Sequence, residues 1–454
     1  MRRAVPLLVC LAALLGSGAV GADLYSRTLA NGLRVIVKED RRAPTIAHLV
    51  WYRAGAMDET SGTTGVAHVL EHMMFKGTKA MPAGEFSRRV AAAGGRENAF
   101  TGHDYTVYFQ QAERSRLELM IELEADRMAN LVVSPEEFAL EIKVVQEERR
   151  LRTDDRPREL VYENLMAAAF KVHPYRRPII GWMTDLETMT AADARDWYAR
   201  WYAPNNAFVV VVGDVSAEAV FQLAQAHYGA LPARPLPVRK PQNEPPQEGS
   251  RRLVVKAPAE LAYVLIAYQA PVLRDVAKDR EPYALAVLAA VLDGNDSARL
   301  KARLVRSRRI ANEATASYEV TARGPGVFML DGVPAQGRSA AELESALRGE
   351  LAAVAADGVT AAELERAKIQ YVAGRVYKRD SIFAQALELG LLESAGLSYR
   401  DTDRILERIR AVTADEVREA ARRVLVEEAS TVATLDPQPV DPSKPQPRST
   451  APRH

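Results

Sequence analysis

A proline-rich stretch near the middle of the chain places the strongest limit on how the chain can fold. Residues 232–250 read PARPLPVRKPQNEPPQEGS and repeat at neither helical nor strand spacing, which predicts a linker. A chain of 454 residues is long enough for two domains. We therefore predict a first domain over residues 23–231 and a second over 251–435. A similar proline-rich segment over 436–454 is predicted to be a disordered tail.

The two predicted domains share an order of elements. LRVIVKEDRRAPTIAHLVWYRAG starts at Leu33 and RLVVKAPAELAYVLIAYQAP starts at Arg252, and each predicts a strand, a short break and a second apolar strand. Helical patterns follow in both domains, and strands return at residues 105–110 and 326–332. Strands mixed with helices predict an α+β fold, with two similar domains that are each a sheet covered by helices.

The first 22 residues, MRRAVPLLVCLAALLGSGAVGA, predict a signal peptide. They combine a basic start, an apolar run too short to span a bilayer comfortably, and small residues before Asp23. A retained membrane anchor is the alternative. Since the only cysteine, Cys10, lies in this segment, any metal in the mature chain must be bound through nitrogen and oxygen. We expect a periplasmic or secreted protein without stable membrane insertion, and the net charge of +1 gives no reason to expect nucleic acid.

Residues 68–72 read HVLEH, which is the densest chemical motif of the chain. On a helix, His68 and His72 lie one turn apart, so both imidazoles can reach one ion. Glu71 would stand beside them, free to act on a water molecule. The alternative is that these residues form the wet face of an ordinary amphipathic helix. Because the chain has only seven histidines, the motif favours a zinc site.

Zinc needs a third protein ligand, and the segment that starts at Ser134 offers one. Ser134 followed by proline predicts a helix that begins at Pro135 and ends near Leu151. Glu141 and Glu148 are predicted to face inward, because they lie between two apolar stripes, Phe138, Ile142 and Val145 on one side and Leu140, Val144 and Leu151 on the other. A buried carboxylate requires a partner, which a metal would supply for Glu148 and a ligand histidine for Glu141. The alternative partner is Arg149 or another cation.

HVLEH followed by Glu148, 76 residues beyond His72, resembles the inverted zincins of the pitrilysin and insulinase family, the H-x-x-E-H zinc peptidases. Glu141 matches the family's glutamate that supports a ligand histidine. The resemblance covers nearly all of the mature chain and is closest to half-length bacterial relatives of mitochondrial processing peptidase. Four further segments resemble the family: RAGAMDE at 53–59, GGRENAFTGHDYTVYF at 94–109, HPYRRPIIGW at 173–182 and WYAPNNAFVVVVGDV at 201–215.

The resemblance implies both a fold and an activity. Each domain would be an α+β sandwich, and the chain would form half of a clamshell that closes around a chamber. One Zn²⁺ per chain would be bound by His68, His72 and Glu148. Glu71 would take a proton from the attacking water and return it to the leaving amine. The expected activity is a zinc metalloendopeptidase that cleaves peptides or unfolded segments inside the chamber.

The segment NAFTGHDYTVYF predicts the strand that would bind substrate, through Asn98, Ala99, Phe100 and Thr101. Its threonine, tyrosine, valine and phenylalanine residues favour a pleated surface. An edge strand beside a metal can pair with an extended peptide through main-chain hydrogen bonds. A purely structural hairpin is the alternative. His103 is predicted to be a loop residue and not a ligand.

The chain departs from the family at one place. Active members place an arginine and a tyrosine, seven residues apart, in a second-domain segment, whereas the matching positions here are Val305 and Asn312. Arg306, Arg308 and Tyr318 lie nearby but out of step. This departure predicts a heterodimer with a related subunit that lacks the zinc motif, and a homodimer is the alternative. The alternative functions are a non-catalytic peptide-binding or scaffold subunit and a metal-binding or adhesion protein without turnover.

Overall fold

The computed structural model describes residues 23–440. The predicted signal peptide, residues 1–22, and residues 441–454 of the predicted tail lie outside the described part. We call residues 23–231 the first half and residues 251–440 the second half. Residues 232–250, which were predicted to be a linker, contain no helix or strand.

The first half contains a six-stranded sheet with the order β1-β2-β6-β3-β5-β4. Its strands are β1 (Leu24–Thr28), β2 (Arg34–Glu39), β3 (Thr45–Tyr52), β4 (Arg96–Thr101), β5 (Thr106–Glu113) and β6 (Ala207–Gly213). The sequence of β6, AFVVVVG, is buried at every position, as a strand covered on both faces requires. β4 lies at the edge of the sheet and pairs only with β5 among the described strands.

The second half contains a five-stranded sheet with the order β7-β11-β8-β10-β9. Its strands are β7 (Arg251–Pro258), β8 (Tyr263–Ala270), β9 (Ala311–Tyr318), β10 (Gly326–Pro334) and β11 (Ser430–Gln438). β11 extends past Leu435, where the second domain was predicted to end, because Asp436–Gln438 pair with Lys256–Pro258 of β7.

The two sheets repeat one topology. In each, the first strand of the repeat pairs in parallel with the last, β2 with β6 and β7 with β11. The other three strands then follow in the same antiparallel order, β3-β5-β4 and β8-β10-β9. The predicted pair of similar α+β domains is therefore confirmed.

Helices pack on both sheets. Those of the first half are α1 (Val66–Met73), α2 (Glu85–Ala92), α3 (Leu117–Asn130), α4 (Pro135–Arg149), α5 (Pro157–Ala169), α6 (Met183–Thr188), α7 (Ala191–Trp201) and α8 (Ala217–Tyr228). Those of the second half are α9 (Glu281–Asp293), α10 (Ala340–Asp357), α11 (Ala361–Lys378), α12 (Ile382–Ser394), α13 (Thr402–Ala411) and α14 (Ala414–Val424). The described helices include none that is both long and apolar enough to cross a membrane.

Two helices pack on the sheet of the opposite half. α5 precedes the linker, yet Val161 and Leu165 are buried with residues of the second sheet. Conversely, Ala386 and Leu389 of α12 are buried against the first sheet beside Trp51. Each half therefore completes the other's core, although the sequence predicted that each domain would cover its own sheet. The boundaries of the predicted domains remain a prediction.

The helix predicted to end near Leu151 is α4, which ends at Arg149 and continues as a π-helical turn over Arg150–Asp154. Its N-terminus is as predicted, since the Ser134 hydroxyl accepts the backbone N–H of Glu137 at 3.1 Å. The predicted burial of a second stripe is wrong: the stripe is exposed, at 63% for Leu140 and 50% each for Val144 and Leu151. The reason is that α4 packs on the first half through only one face, that of Phe138, Ile142 and Val145.

Candidate metal centre

The HVLEH helix, α1, starts at a glycine that no other residue could replace without strain. Gly65 precedes the helix with φ +87°, and a Cβ there would lie 2.5 Å from the carbonyl oxygen of Ile180. The buried carboxylate of Glu59 accepts the backbone N–H groups of Gly65 at 2.8 Å and Ala67 at 2.9 Å. A carboxylate at this end satisfies free N–H groups and the helix dipole. Glu59 was not predicted from the sequence, although it ends the segment RAGAMDE.

His68, His72 and Glu148 converge between α1 and α4. Each residue offers one ligand atom, and these atoms all lie within 4.8 Å of one another. Glu148 Oε2 is 3.3 Å from His72 Nε2 and 3.8 Å from His68 Nε2. Ligand atoms bound to a tetrahedral Zn²⁺ at about 2.0–2.1 Å are separated by about 3.4 Å. The two histidines and the glutamate therefore fit a zinc ion.

The hydrogen bonding of Glu148 points the same way. Its Oε1 atom lies 2.8 Å from the Arg152 guanidinium, whereas its Oε2 atom is buried and has no hydrogen-bond partner among the described residues. An unpartnered buried carboxylate oxygen is costly unless a cation binds it. Of the alternative partners considered from sequence, Arg149 binds Glu163 at 2.8 Å, but another cation, Arg152, does pair with Glu148. The donor set of two imidazoles and one carboxylate is one that zinc favours.

Glu141 contacts His72, the histidine that the sequence predicted it would support. Its Oε1 atom lies 2.9 Å from Nδ1 of His72, and a proton on that nitrogen leaves Nε2 free toward Glu148. Its other oxygen lies 2.5 Å from the ammonium of Lys76. Lys76 was not predicted from the sequence, although it lies three residues after α1 and one helical turn beyond His72.

Burial and charge set the protonation of the two histidines. Burial lowers the pKa of His68 to about 4, so its imidazole is neutral at physiological pH, as a ligand must be. Burial also disfavours charge on His72, but the nearby carboxylates of Glu148 and Glu141 outweigh burial and raise its pKa. A cation is therefore favoured at the position between His72 and Glu148.

Glu71 lies beside the histidines and is held from the edge strand. Thr101, at the end of β4, donates its hydroxyl to Glu71 Oε2 at 2.5 Å. Only 8% of Glu71 is exposed, and burial raises its pKa to about 7. A carboxylate with a pKa near the working pH can both accept and return a proton. Periodicity placed Glu71 near the histidines, but it did not reveal the contact with Thr101.

The predicted substrate-binding residues occupy the free edge of the first sheet. Asn98–Thr101 belong to β4, where Asn98 is exposed and Ala99 is buried. No other described strand pairs with the opposite edge of β4, and an extended chain can pair with an edge of this kind. His103 lies in the turn after β4, outside the metal cluster, in agreement with its prediction as a loop residue.

The second half holds the positions that depart from the family pattern. Val305 lies in a π-helical turn and packs on the core, and Asn312 is exposed on β9. Arg306 and Tyr318, two of the residues that could replace the family's arginine and tyrosine, make hydrogen bonds inside the second half. Arg306 donates to the carbonyl oxygen of Asp296, and Tyr318 donates to that of Pro271.

The fold consists of two repeated sheet-and-helix halves. The first half carries a His-x-x-Glu-His helix and a distal glutamate, which together can bind one metal ion beside the edge of a sheet. These features define a class of two-domain metal-binding proteins. The particular family follows from two family models. Residues 34–182 match the model described as Insulinase (Peptidase family M16), and residues 188–371 match the one described as Peptidase M16 inactive domain. The chain belongs to peptidase family M16, the insulinase family.

Known relatives agree with this assignment. The chain is 35% identical over 363 residues to the zinc protease PqqE of Helicobacter pylori, covering 78% of this chain and 80% of the relative. A crystal structure of a protease from Helicobacter pylori superposes with a TM-score of 0.86 at 30% identity, covering 91% of this chain and 99% of that one. The periplasmic protease PqqL from Escherichia coli shares the fold, with a TM-score of 0.78 at 20% identity. The match covers 92% of this chain but 49% of PqqL.

Proposed function

We propose that the protein is a zinc-dependent endopeptidase, a hydrolase that cleaves peptides or unfolded segments. The observation that carries the proposal is the convergence of His68, His72 and Glu148, with Glu71 beside them. The name zinc protease of the relative PqqE supports both the metal and the reaction class. The description of the second family model as an inactive domain agrees with placing the chemistry in the first half.

His68, His72 and Glu148 would hold one Zn²⁺ per chain, and Glu141 would orient His72 through Nδ1. The ion would supply a Lewis acid that polarises the scissile carbonyl. Glu71 takes a proton from the attacking water and returns it to the leaving amine. The Thr101 hydroxyl fixes the Glu71 carboxylate for this task.

The free edge of β4 is the proposed peptide-binding element. Main-chain hydrogen bonds from Asn98–Thr101 would align an extended substrate beside Glu71, because Thr101 at the end of that strand already contacts it. Main-chain pairing gives affinity with little sequence preference, which suits a peptidase for unfolded segments.

The test is a comparison of the zinc-loaded wild-type chain with Glu71→Gln, using a library of quenched fluorescent peptides. We expect the variant to lose peptide cleavage while it retains close to one zinc per chain, because Glu71 accepts a proton and is not a ligand. Metal content is measured by atomic emission after dialysis. Loss of zinc from Glu71→Gln would contradict its role as base, and a wild-type chain that binds zinc but cleaves no peptide, alone or with a partner, would overturn the proposed function.

A second candidate function is a non-catalytic peptide-binding or scaffold subunit of a related peptidase complex. It is favoured by Val305 and Asn312, which stand at the positions where the family resemblance implies an arginine and a tyrosine. The complete HVLEH motif and the unpartnered oxygen of Glu148 weigh against it. Peptide binding without turnover in every assembly tested would support this candidate.

We also propose that the chain works as a dimer, as one half of a clamshell around the substrate. A heterodimer is favoured, with a related subunit that lacks the zinc motif and supplies the arginine and tyrosine. In the homodimer alternative, Arg306 or Arg308 and Tyr318 would replace that pair. Turnover is compared for the chain alone and mixed with such a relative from the same organism, and full activity of a stable homodimer would exclude the heterodimer.

A periplasmic or secreted location is proposed as well. It is supported by the basic start, apolar run and small residues of positions 1–22. PqqL, which shares the fold, is described as a periplasmic protease. Cell fractionation with N-terminal sequencing tests this proposal, with a mature start at Asp23 as the expected result.

A further inference from the structure

The loop between β9 and β10 of the second half reaches into the first half through Arg323 and Gly324. The Arg323 guanidinium donates to the Asp58 carboxylate at 3.1 Å and to the Asp104 carbonyl oxygen at 2.9 Å. Its backbone N–H donates to the Asp104 carboxylate at 2.9 Å. The N–H of Gly324 donates to the Tyr175 hydroxyl at 2.8 Å, and that hydroxyl donates to Asp104 at 2.5 Å.

This contact is largely removed from water. The exposed fraction is 18% for the Arg323 side chain and 3% for that of Asp58, and Asp104 is buried. Burial raises the pKa of the Asp104 carboxyl, while the hydrogen bond from Arg323 opposes the rise. The loop can approach this closely because residue 324 is glycine, since a Cβ there would lie 2.3 Å from Cε1 of His173. A buried, charge-assisted contact of this kind restrains the groups it joins.

Asp104 lies in the turn that joins β4 to β5. The backbone N–H groups of Ala56 and Met57 hold the same turn from the first half, at 3.1 and 2.9 Å from its carbonyl oxygens. Thr101, the residue that contacts Glu71, is the last residue of β4 and enters this turn. The second half therefore contacts the turn at Asp104, three residues after Thr101, which contacts Glu71.

We propose, on the basis of the proposed peptidase function, that Arg323 is a positioning residue. Through it, the second half holds the β4–β5 turn, which keeps Thr101 on Glu71 and the peptide-pairing edge of β4 in place. An ion pair that does not contact the β4–β5 turn would not restrain it. Arg158 and Glu313 provide an ion pair for comparison that lies away from this turn, because Arg158 belongs to α5, which packs on the second sheet; the two are 3.0 Å apart and 50% and 45% exposed.

The first measurement is hydrogen exchange of the backbone amides in Arg323→Gln, with Arg158→Gln as the matched control. The reporters are the N–H groups of Ala56, Met57 and Gly102, which bond within or onto the turn. We expect exchange at these amides to be about tenfold faster in Arg323→Gln, the size typical for loss of a hydrogen bond to a charged group. Exchange in the control should match the wild type.

The second measurement is the kinetics of peptide cleavage with zinc content held near one per chain. Arg323→Gln should raise KM about tenfold, because the edge that pairs with peptide is no longer fixed, by a factor typical of a lost charged hydrogen bond. If the contacts of Arg323 contributed only to stability, Arg323→Gln would lower the amount of folded enzyme without changing KM. Arg323→Lys should restore part of the loss, since lysine keeps the charge but lacks the fork that spans Asp58 and Asp104.

Unchanged exchange of the turn amides in a folded Arg323→Gln variant overturns the proposal, whatever the activity. An equal KM in the variant and the wild type does the same. If Arg323→Gln does not fold, Asp104→Asn replaces it, because the amide keeps the shape and removes the charge. Failure of the wild-type chain to cleave peptide is a separate result: it refutes the proposed function, while the exchange experiment still decides whether Arg323 restrains the turn.

Discussion

Replacing Glu148 with glutamine should strongly weaken zinc binding, whereas the same replacement at Glu147 should leave it unchanged. The two residues are neighbours on α4 but face different ways. The Glu148 side chain is 15% exposed and faces His68 and His72, whereas that of Glu147 is 58% exposed and pairs with Arg150. Glutamine retains the shape of either side chain and removes only its charge.

The expected size of the effect follows from the ligand set. Structural zinc sites with four protein ligands bind with about 10–16 kcal/mol, or about 2.5–4 kcal/mol per ligand, which corresponds to roughly 10²–10³-fold in affinity. Because Glu148 is partly exposed, a water molecule can take the place of its carboxylate. We therefore expect the loss to be at the lower end, about a hundredfold.

Zinc affinity is measured by competition with a chromophoric chelator, and thermal unfolding of each variant shows whether the fold is intact. Glu147→Gln is the matched control, since it makes the same chemical change one residue away. Wild-type affinity in Glu148→Gln would refute the assignment of the third ligand. Loss of zinc from Glu147→Gln alone would move that ligand by one residue.

Three further predictions concern other parts of the molecule. Glu141→Gln should weaken zinc binding about 10–100-fold in the same competition assay, since it orients His72 without binding the metal. Gly390→Ala should lower the free energy of unfolding in urea by about 1–3 kcal/mol, because its Cβ would lie 2.2 Å from the buried ring of Trp51; an unchanged midpoint would contradict the packing of α12 on the first sheet. Hydrogen bonds from Arg299 hold the pKa of Glu363 at about 2, below its ordinary 4.5. The contribution of ionised Glu363 to the free energy of unfolding is therefore complete above pH 4.5 and is lost as pH falls toward 2. Across that pH range, the free energy of unfolding of the wild type, measured by urea titration at each pH, should fall by about 2 kcal/mol more than that of Glu363→Gln. Equal falls in the two proteins would contradict the ion pair between Arg299 and Glu363.

The sequence determined the local parts of the site. Helical periodicity alone placed His68, Glu71 and His72 together, and the structure has them on one helix. The start of α4 was also predictable, because Ser134 and the proline after it are chemical markers of a helix N-terminus. Repeated strand patterns predicted two similar sheets, and the common strand order confirms them.

Tertiary structure decided what joins these parts. The contact between Thr101 and Glu71 spans 30 residues, and the exchange of α5 and α12 between the halves spans far more. Periodicity shows which face of a helix is apolar, but it does not show which sheet that face will cover. The exposed stripe of α4 shows this limit, because Leu140 and Val144 have the spacing of core residues and yet face solvent. Such contacts are determined when elements distant in sequence pack together, since the free energy of burial depends on the final neighbours and not on the local pattern.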